Sequence, residues 1–367
     1  MTFVIIIFLF IGLVLAHEFG HFLVAKRNGV VVEEFGVGFP PRLWGKKFRG
    51  TLYSINLLPL GGFVSLKGEE GDGGKGTLAG ASLWAKTKIM LAGVGMNVLS
   101  AIVIFYGLCL TGLPALGAPF EPTALPHNYA QRPQLILTQV TDGSPAAKAG
   151  LKRNDYVLAG NGTAFATDDQ LRAFTRSHQN KRVTLKVRSA GQSAEHDLAV
   201  TLRRASDGAL GVYAQQTYKL RFDPLTAVPA ALYLTATFVW ATLVGIAQLL
   251  VNIPVLVLGL FAPTVPAAAE AASGPIGIVY IMSSLGSLGW SYIWLFIANI
   301  SVALAAFNVL PLPALDGGRL AVDLFKKVTG RHPSEAAESL YHTIGFSALI
   351  GLVLLISVYD IKKLFSR

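Results

Sequence analysis

Long runs with no charged position alternate along this chain with stretches of mixed character. Residues 3–24 are apolar almost throughout, about the ~20 residues that a helix needs to cross a bilayer. Residues 89–113, 288–310 and 343–359 are uncharged runs of similar kind and predict further spans. Residues 228–262 are uncharged over 35 positions. As one helix that run would be roughly 52 Å long, too long for an ordinary span, and Pro254 and Pro263 interrupt it. It is open to three readings: a re-entrant hairpin, a helix lying on the outer surface, or a single crossing. Between residues 134 and 203 the pattern changes to short alternating runs, at 135–140, 155–158, 183–187 and 196–202, which read as strands. Helical stretches follow Ser144 and run from Thr167 to His178.

Composition agrees with a membrane protein. Hydrophobic residues make up 52% and charged residues 14%, with a mean hydropathy of +0.52. Soluble domains carry about 25% charged residues, and disorder goes with low hydrophobicity, so both classes are excluded. The net charge of +10 is not gathered into basic clusters interleaved with aromatics, so no nucleic-acid partner is expected. A single cysteine, Cys109, excludes an intrachain disulfide and a cysteine metal site.

Basic residues orient the spans. None precedes Lys26, ten lie between Lys26 and Lys88, and none occurs from 222 to 318. By the positive-inside rule the N-terminus is outside and residues 26–88 face the cytoplasm. The first run lacks a basic leader and a small-residue cleavage site, so it reads as a retained span rather than a signal peptide. Residues 115–221 then form an extracytoplasmic domain, whose fourteen basic residues (Arg132 to Arg221) are tolerated because long domains translocate largely regardless of charge. If 228–262 does not cross, the C-terminus is outside, against the pull of Lys362, Lys363 and Arg367; a single crossing would put it inside. The polar loop 69–76 carries no chemistry in this reading.

The first span contains His17-Glu18-Phe19-Gly20-His21, an H-E-x-x-H motif. A spacing of four puts both imidazoles on one helix face, where they can grip one metal ion, and Glu18 beside them can take a proton from the attacking water. Zinc suits two imidazoles and a carboxylate. A charged residue at mid-membrane costs about 2.5–3.5 kcal/mol. Side chains at a frayed helix end could escape that cost, but Phe22, Leu23 and Val24 continue the apolar run. Asp223, Glu270 and Asp316 are the acidic residues between 222 and 318. Asp316 closes the run Asn308 to Gly318. His17 lies about 22 Å in from the outer side, and a helix from Gly289 broken at Pro311 brings Asp316 to the same depth if it runs the same way. The alternative for Asp316 is a cap on the following helix.

With these motifs the chain resembles the site-2 protease family of intramembrane zinc metalloproteases, in particular the RseP-type bacterial regulated intramembrane proteases. His17 to His21 matches the family's H-E-x-x-H, and Asn308 to Gly318 matches N-x-x-P-x-P-x-L-D-G. Tyr53 to Val64 resembles the membrane re-entrant β-loop, Gly93 to Asn97 the Gly…Asn motif of the second helix, and Ser273-Gly274-Pro275 the segment before the third core helix. Two positions depart from the pattern: Pro40 and Val94 stand where the family has Gly and Pro.

The resemblance implies a polytopic α-helical membrane protein. It would have about four core transmembrane helices, a re-entrant β-loop and one inserted extracytoplasmic PDZ-like α+β domain that filters substrates. The expected parts are residues 1–114 (first membrane part), 115–210 (PDZ domain), 211–287 (linker and membrane-associated segment) and 288–367 (second membrane part). The resemblance implies zinc on His17, His21 and Asp316, with Glu18 as general base. Substrate contacts are implied for Asn308, Gly61, Gly62, Pro311 and Pro313. They extend to Asn97, for which a helix–helix hydrogen bond is the equal alternative. The implied setting is the bacterial inner membrane, with the active site toward the cytoplasm and single-span membrane proteins as substrates, an anti-sigma factor or remnant signal peptides among them. Two rivals come from other classes. A non-catalytic PDZ scaffold is opposed by the intact Glu18. A metal transporter would show internal repeats and several midplane polar sites, and the sequence shows one cluster.

Overall fold

The computed structural model describes the chain apart from residues 1, 70–72, 115–128, 131–133, 191, 193, 205–208, 218, 261–265, 267–268, 270–272, 332 and 366–367. Glu270, Arg367, the middle of the polar loop and most of residues 115–133 are therefore outside the described residues. The elements run α1 (Thr2–Arg27), β1 (Val32–Phe48), β2 (Thr51–Leu66), α2 (Leu83–Thr111), β3 (Leu113–Pro114), β4 (Tyr129–Ala130), β5 (Gln134–Val140), α3 (Pro145–Lys148), β6 (Tyr156–Gly160), β7 (Thr163–Ala164) and α4 (Asp168–Ser177). There follow β8 (Arg182–Arg188), β9 (Glu195–Thr201), β10 (Val212–Thr217), β11 (Lys219–Arg221), α5 (Pro224–Val251), α6 (Ile253–Gly259), α7 (Pro275–Leu288), α8 (Trp290–Val309), α9 (Asp316–Thr329) and α10 (Glu335–Phe365). Two compact units result: Met1–Ile104 with Thr235–Ser283 and Phe296–Arg367, and Phe105–Leu234 with Ser284–Leu295.

Among the described residues five helices, α1, α2, α5, α8 and α10, are long and apolar enough to cross a membrane, one more than the four expected. The additional helix is α5. The uncharged run at 228–262 is not continuous: α5 ends at Val251, and Pro254 sits in the first turn of the separate α6. Its 28 residues form one helix through Pro229, about 42 Å long, so the residues to Val251 make no hairpin. Pro254 breaks the run because it lacks the N–H that would continue the helix. At the other end Asp223 caps α5, accepting from the Leu225 and Thr226 N–H groups at 3.0 and 3.1 Å. The Thr226 hydroxyl, which also donates to it, holds its carboxyl below the usual carboxylate range.

Between α1 and α2 lies a hairpin of two long strands, each bent so that it supplies two legs. Phe35 faces both Tyr53 and Val64, Gly36 both Ser54 and Phe63, and Val37 both Ile55 and Gly62. The legs therefore lie in the order 42–48, 51–58, 32–39, 62–66. The leg 62–66 has no further strand beside it among the described residues. The Thr51 hydroxyl, donating to the Val32 carbonyl at 2.9 Å, and the Asn56 amide, donating to the Gly38 carbonyl at 3.1 Å, pin the bend.

The second unit holds an antiparallel sheet in the order β10-β5-β6-β8-β9, with β7 on β6. Strict alternation in β8 sends Val183, Leu185 and Val187 inward. There they pack with Leu135, Leu137, Val157, Leu171 and Val200. Ser144 caps α3, and Thr167 with Gln170 forms a capping box on α4, which sets its start one residue after the cap. Leu185 is fully buried. Leu185→Ala is expected to cost about 2–5 kcal/mol through the cavity left behind. Amide exchange in β6, β8 and β9 of the intact protein should accelerate, while the amides of α1 keep their protection.

Candidate metal centre

The 3.6-residue pitch of α1 places His17 and His21 on one face, with Nε2 atoms 3.1 Å apart. Asp316, the first residue of α9, brings its Oδ2 to 3.2 Å from each of these nitrogens. The three atoms thus form a nearly equilateral triangle, the described cluster able to hold a metal ion. Both histidines are buried, and Asp316 Oδ2 is a buried oxygen with no hydrogen-bond partner. Asp316 makes no cap: the N-cap position is Leu315, without a side-chain bond. Tetrahedral zinc with ligands at ~2.0–2.1 Å spaces its donors about 3.3 Å apart, so the triangle and the donor chemistry both fit zinc.

Three elements force this convergence. The first is the close contact of α1 and α2. A Cβ on Gly20 would stand 2.5 Å from the Ala92 carbonyl oxygen, and one on Gly93 would stand 2.6 Å from His17 Cε1 and collide with His21 Nε2. Small residues at both points let the helices close. Ile89, one turn before Gly93, presents its carbonyl to His21 Nδ1 at 2.7 Å; Nδ1 donates there, which leaves the Nε2 lone pair facing the triangle.

The second element is the break between α8 and α9. Pro311 and Pro313 end α8, and Ala314 is held at φ +67°. The Ala314 N–H donates to His342 Nδ1 at 3.0 Å, and a Cβ on Gly317 would stand 2.5 Å from the Val309 carbonyl oxygen. The first turn of α9 therefore folds tightly onto the break, which aims Asp316. The third element is the hairpin: the Val64 N–H, on the leg with the open edge, donates to Glu18 Oε2 at 3.0 Å.

These groups line a cavity of about 330 Å³ with Asn308, Phe63, Leu66, Glu69 and Arg319. Of the six residues expected to meet substrate, Asn308 lines the cavity. Gly61 and Gly62 lie beside Val14 and Leu15 of α1. Pro311 is exposed, and Pro313 is in contact with Gly345 of α10. Asn97 is fully buried, with its carboxamide 3.0 Å from His17 Nδ1. Sequence reasoning passed over His342, Val64 and Glu69, the last ion-paired to Arg319. A histidine at the head of an otherwise apolar span was a signal for His342; the other two act through a backbone N–H and a loop contact that no local pattern marks.

Gly93→Ala tests the geometry. Alanine is a better helix former than glycine by about 1 kcal/mol, so α2 should persist while the methyl enters the space of the imidazoles. Metal analysis of the purified protein is expected to show loss of the bound ion, with helical circular dichroism unchanged.

Comparison with known proteins places the chain in a family. Residues 5–352 match the model of Peptidase family M50. A Clostridium acetobutylicum relative is 30% identical over 98% of this chain and 96% of its own length. The zinc metalloprotease Rip1 of Mycobacterium tuberculosis is 29% identical, covering 85% of this chain and 82% of its own. The zinc metalloprotease RasP of Geobacillus kaustophilus is 26% identical, covering 98% and 97%. With a match that runs over nearly the whole chain, through His17, His21 and Asp316, this chain belongs to Peptidase family M50.

Proposed function

We propose that this protein is a zinc-dependent intramembrane endopeptidase that cuts a transmembrane segment of single-span membrane proteins. The observation that carries the reading is the meeting of His17 and His21, on a helix apolar and long enough to span a membrane, with Asp316 at the start of α9, and with Glu18 beside them. Ionisable groups at such depth are costly and mark function. His17, His21 and Asp316 would hold the zinc. When bound, zinc polarises the scissile carbonyl and lowers the pKa of the attacking water. Glu18 takes the proton from that water and passes it to the leaving amine.

The hairpin supplies a way to hold the substrate. A helix hides its carbonyls in its own hydrogen bonds, so it must open before cleavage, and hydrocarbon offers the freed groups no partners. The open edge of leg 62–66 lies beside Glu18 and can accept an extended segment as an added strand. Asn308, in the cavity wall, is placed to contact that segment.

The β10-β5-β6-β8-β9 sheet with α4 is read as the PDZ-like module, lying outside the inner membrane and excluding bulky unprocessed substrates. Anti-sigma factors and remnant signal peptides fit the substrate class, within regulated intramembrane proteolysis.

Glu18→Gln in proteoliposomes with a transmembrane peptide substrate is expected to lower cleavage by about 10²–10⁴-fold, the usual contribution of a general base, with zinc content unchanged. Undiminished cleavage would overturn the mechanism. Chelation should abolish cleavage and added zinc restore it; a scaffold would show no cleavage in any arm.

A further inference from the structure

We propose that Asn97 is a positioning residue for the metal centre: its side-chain oxygen accepts the Nδ1 proton of His17 and so keeps the Nε2 lone pair of that ring turned toward Asp316. The proposal rests on the reading of His17, His21 and Asp316 as the zinc site.

Two imidazoles can ligate one ion through Nε2 only if both carry their proton on Nδ1. His21 has this arranged by backbone, since the Ile89 carbonyl at 2.7 Å can only accept. His17 has the Asn97 carboxamide beside its Nδ1, at 3.0 Å. Asn97 stands on α2 two turns after Ile89, on the face that Gly93 opens to the rings. The side chain is fully buried and does not line the cavity, so it is unavailable to a substrate. The Ser301 hydroxyl of α8 uses the Asn97 backbone carbonyl, at 2.8 Å, and leaves the side chain to His17.

The orientation of the amide decides the tautomer. As placed, Nδ2 faces His17 and Oδ1 is buried with no hydrogen-bond partner. Nδ1 would then have to accept, and the ring proton would sit on Nε2, 3.2 Å from Asp316 Oδ2, where the ion must go. The two ends of a carboxamide have nearly the same shape, and a half-turn exchanges them. After it, Oδ1 accepts the Nδ1 proton, and both histidines present lone pairs to the triangle. This is the outer-sphere arrangement that fixes ring orientation and raises ligand basicity at metal sites.

The test measures zinc affinity of the full-length protein in detergent by competition with a chelator. Wild-type protein and His17→Ala come first. One tight site lost in His17→Ala establishes the centre, and no tight site in the wild type would overturn the site reading itself, separately from the role of Asn97. Asn97→Leu keeps the size and removes the acceptor; it is expected to bind zinc about 10–100-fold more weakly, the usual effect of losing such a partner. Asn97→Asp keeps an acceptor and has no N–H to donate; it is expected to bind zinc at least as tightly as the wild type. A purely structural amide, or one that donates to His17, would leave Asn97→Asp as weak as Asn97→Leu, and that result would overturn the proposal. So would wild-type affinity in Asn97→Leu. Asn97→Ala, expected to weaken binding like Asn97→Leu, replaces it if the zinc-free leucine variant does not elute as a single species with helical circular dichroism.

Discussion

An ionisable group inside a membrane must be compensated, and the rest of this structure follows from how three such groups are compensated together. His17, His21 and Asp316 converge on one point from helices nearly 300 positions apart in the chain. A charged side chain such as a carboxylate costs about 2.5–3.5 kcal/mol at mid-bilayer. Within 3.2 Å of one another, the donor atoms of His17, His21 and Asp316 form a triangle whose size fits a metal ion. The arrangement tolerates little slack, because a donor displaced by an ångström no longer ligates.

The precision comes from backbone rather than from bulky packing. Gly20 and Gly93 let α1 and α2 touch where the imidazoles sit, and Gly317 lets α9 turn back onto the Pro311–Pro313 break. The Ile89 carbonyl, the Val64 N–H and the Ala314 N–H, bonded to His21, Glu18 and His342 respectively, lock the rings, the base and the break. Backbone groups suit this task in hydrocarbon, where an unsatisfied amide is itself expensive. The same arrangement leaves the hairpin edge at 62–66, which holds Glu18 through the Val64 N–H, without a further strand among the described residues.

Much of this was legible in one dimension. The H-E-x-x-H spacing places two donors on one face of any helix, and the strand at 183–187 shows in its alternation because one face of the sheet there is buried and the other wet. The proline-rich break after Asn308 was equally plain, since proline ends a helix wherever it stands. Other features were not legible. An uncharged run says nothing about where helices divide, and α5 proved to be a continuous helix of spanning length with α6 set apart from it. Nor did the motifs show that Gly61 and Gly62 would lie against α1, or which helix the Asn97 side chain would bond to, which is α1 through His17.

The sequence by itself determined the class of protein, the chemistry of its donors and the family, because composition, helical pitch and motif spacing are local properties. Only the tertiary structure decided which surfaces meet. It brought Asp316 to 3.2 Å from both histidines, gave Glu18 a backbone partner on the hairpin, and set the Asn97 side chain against His17. Those outcomes depend on close helix approach and on backbone hydrogen bonds between distant segments, which no local run of residues encodes.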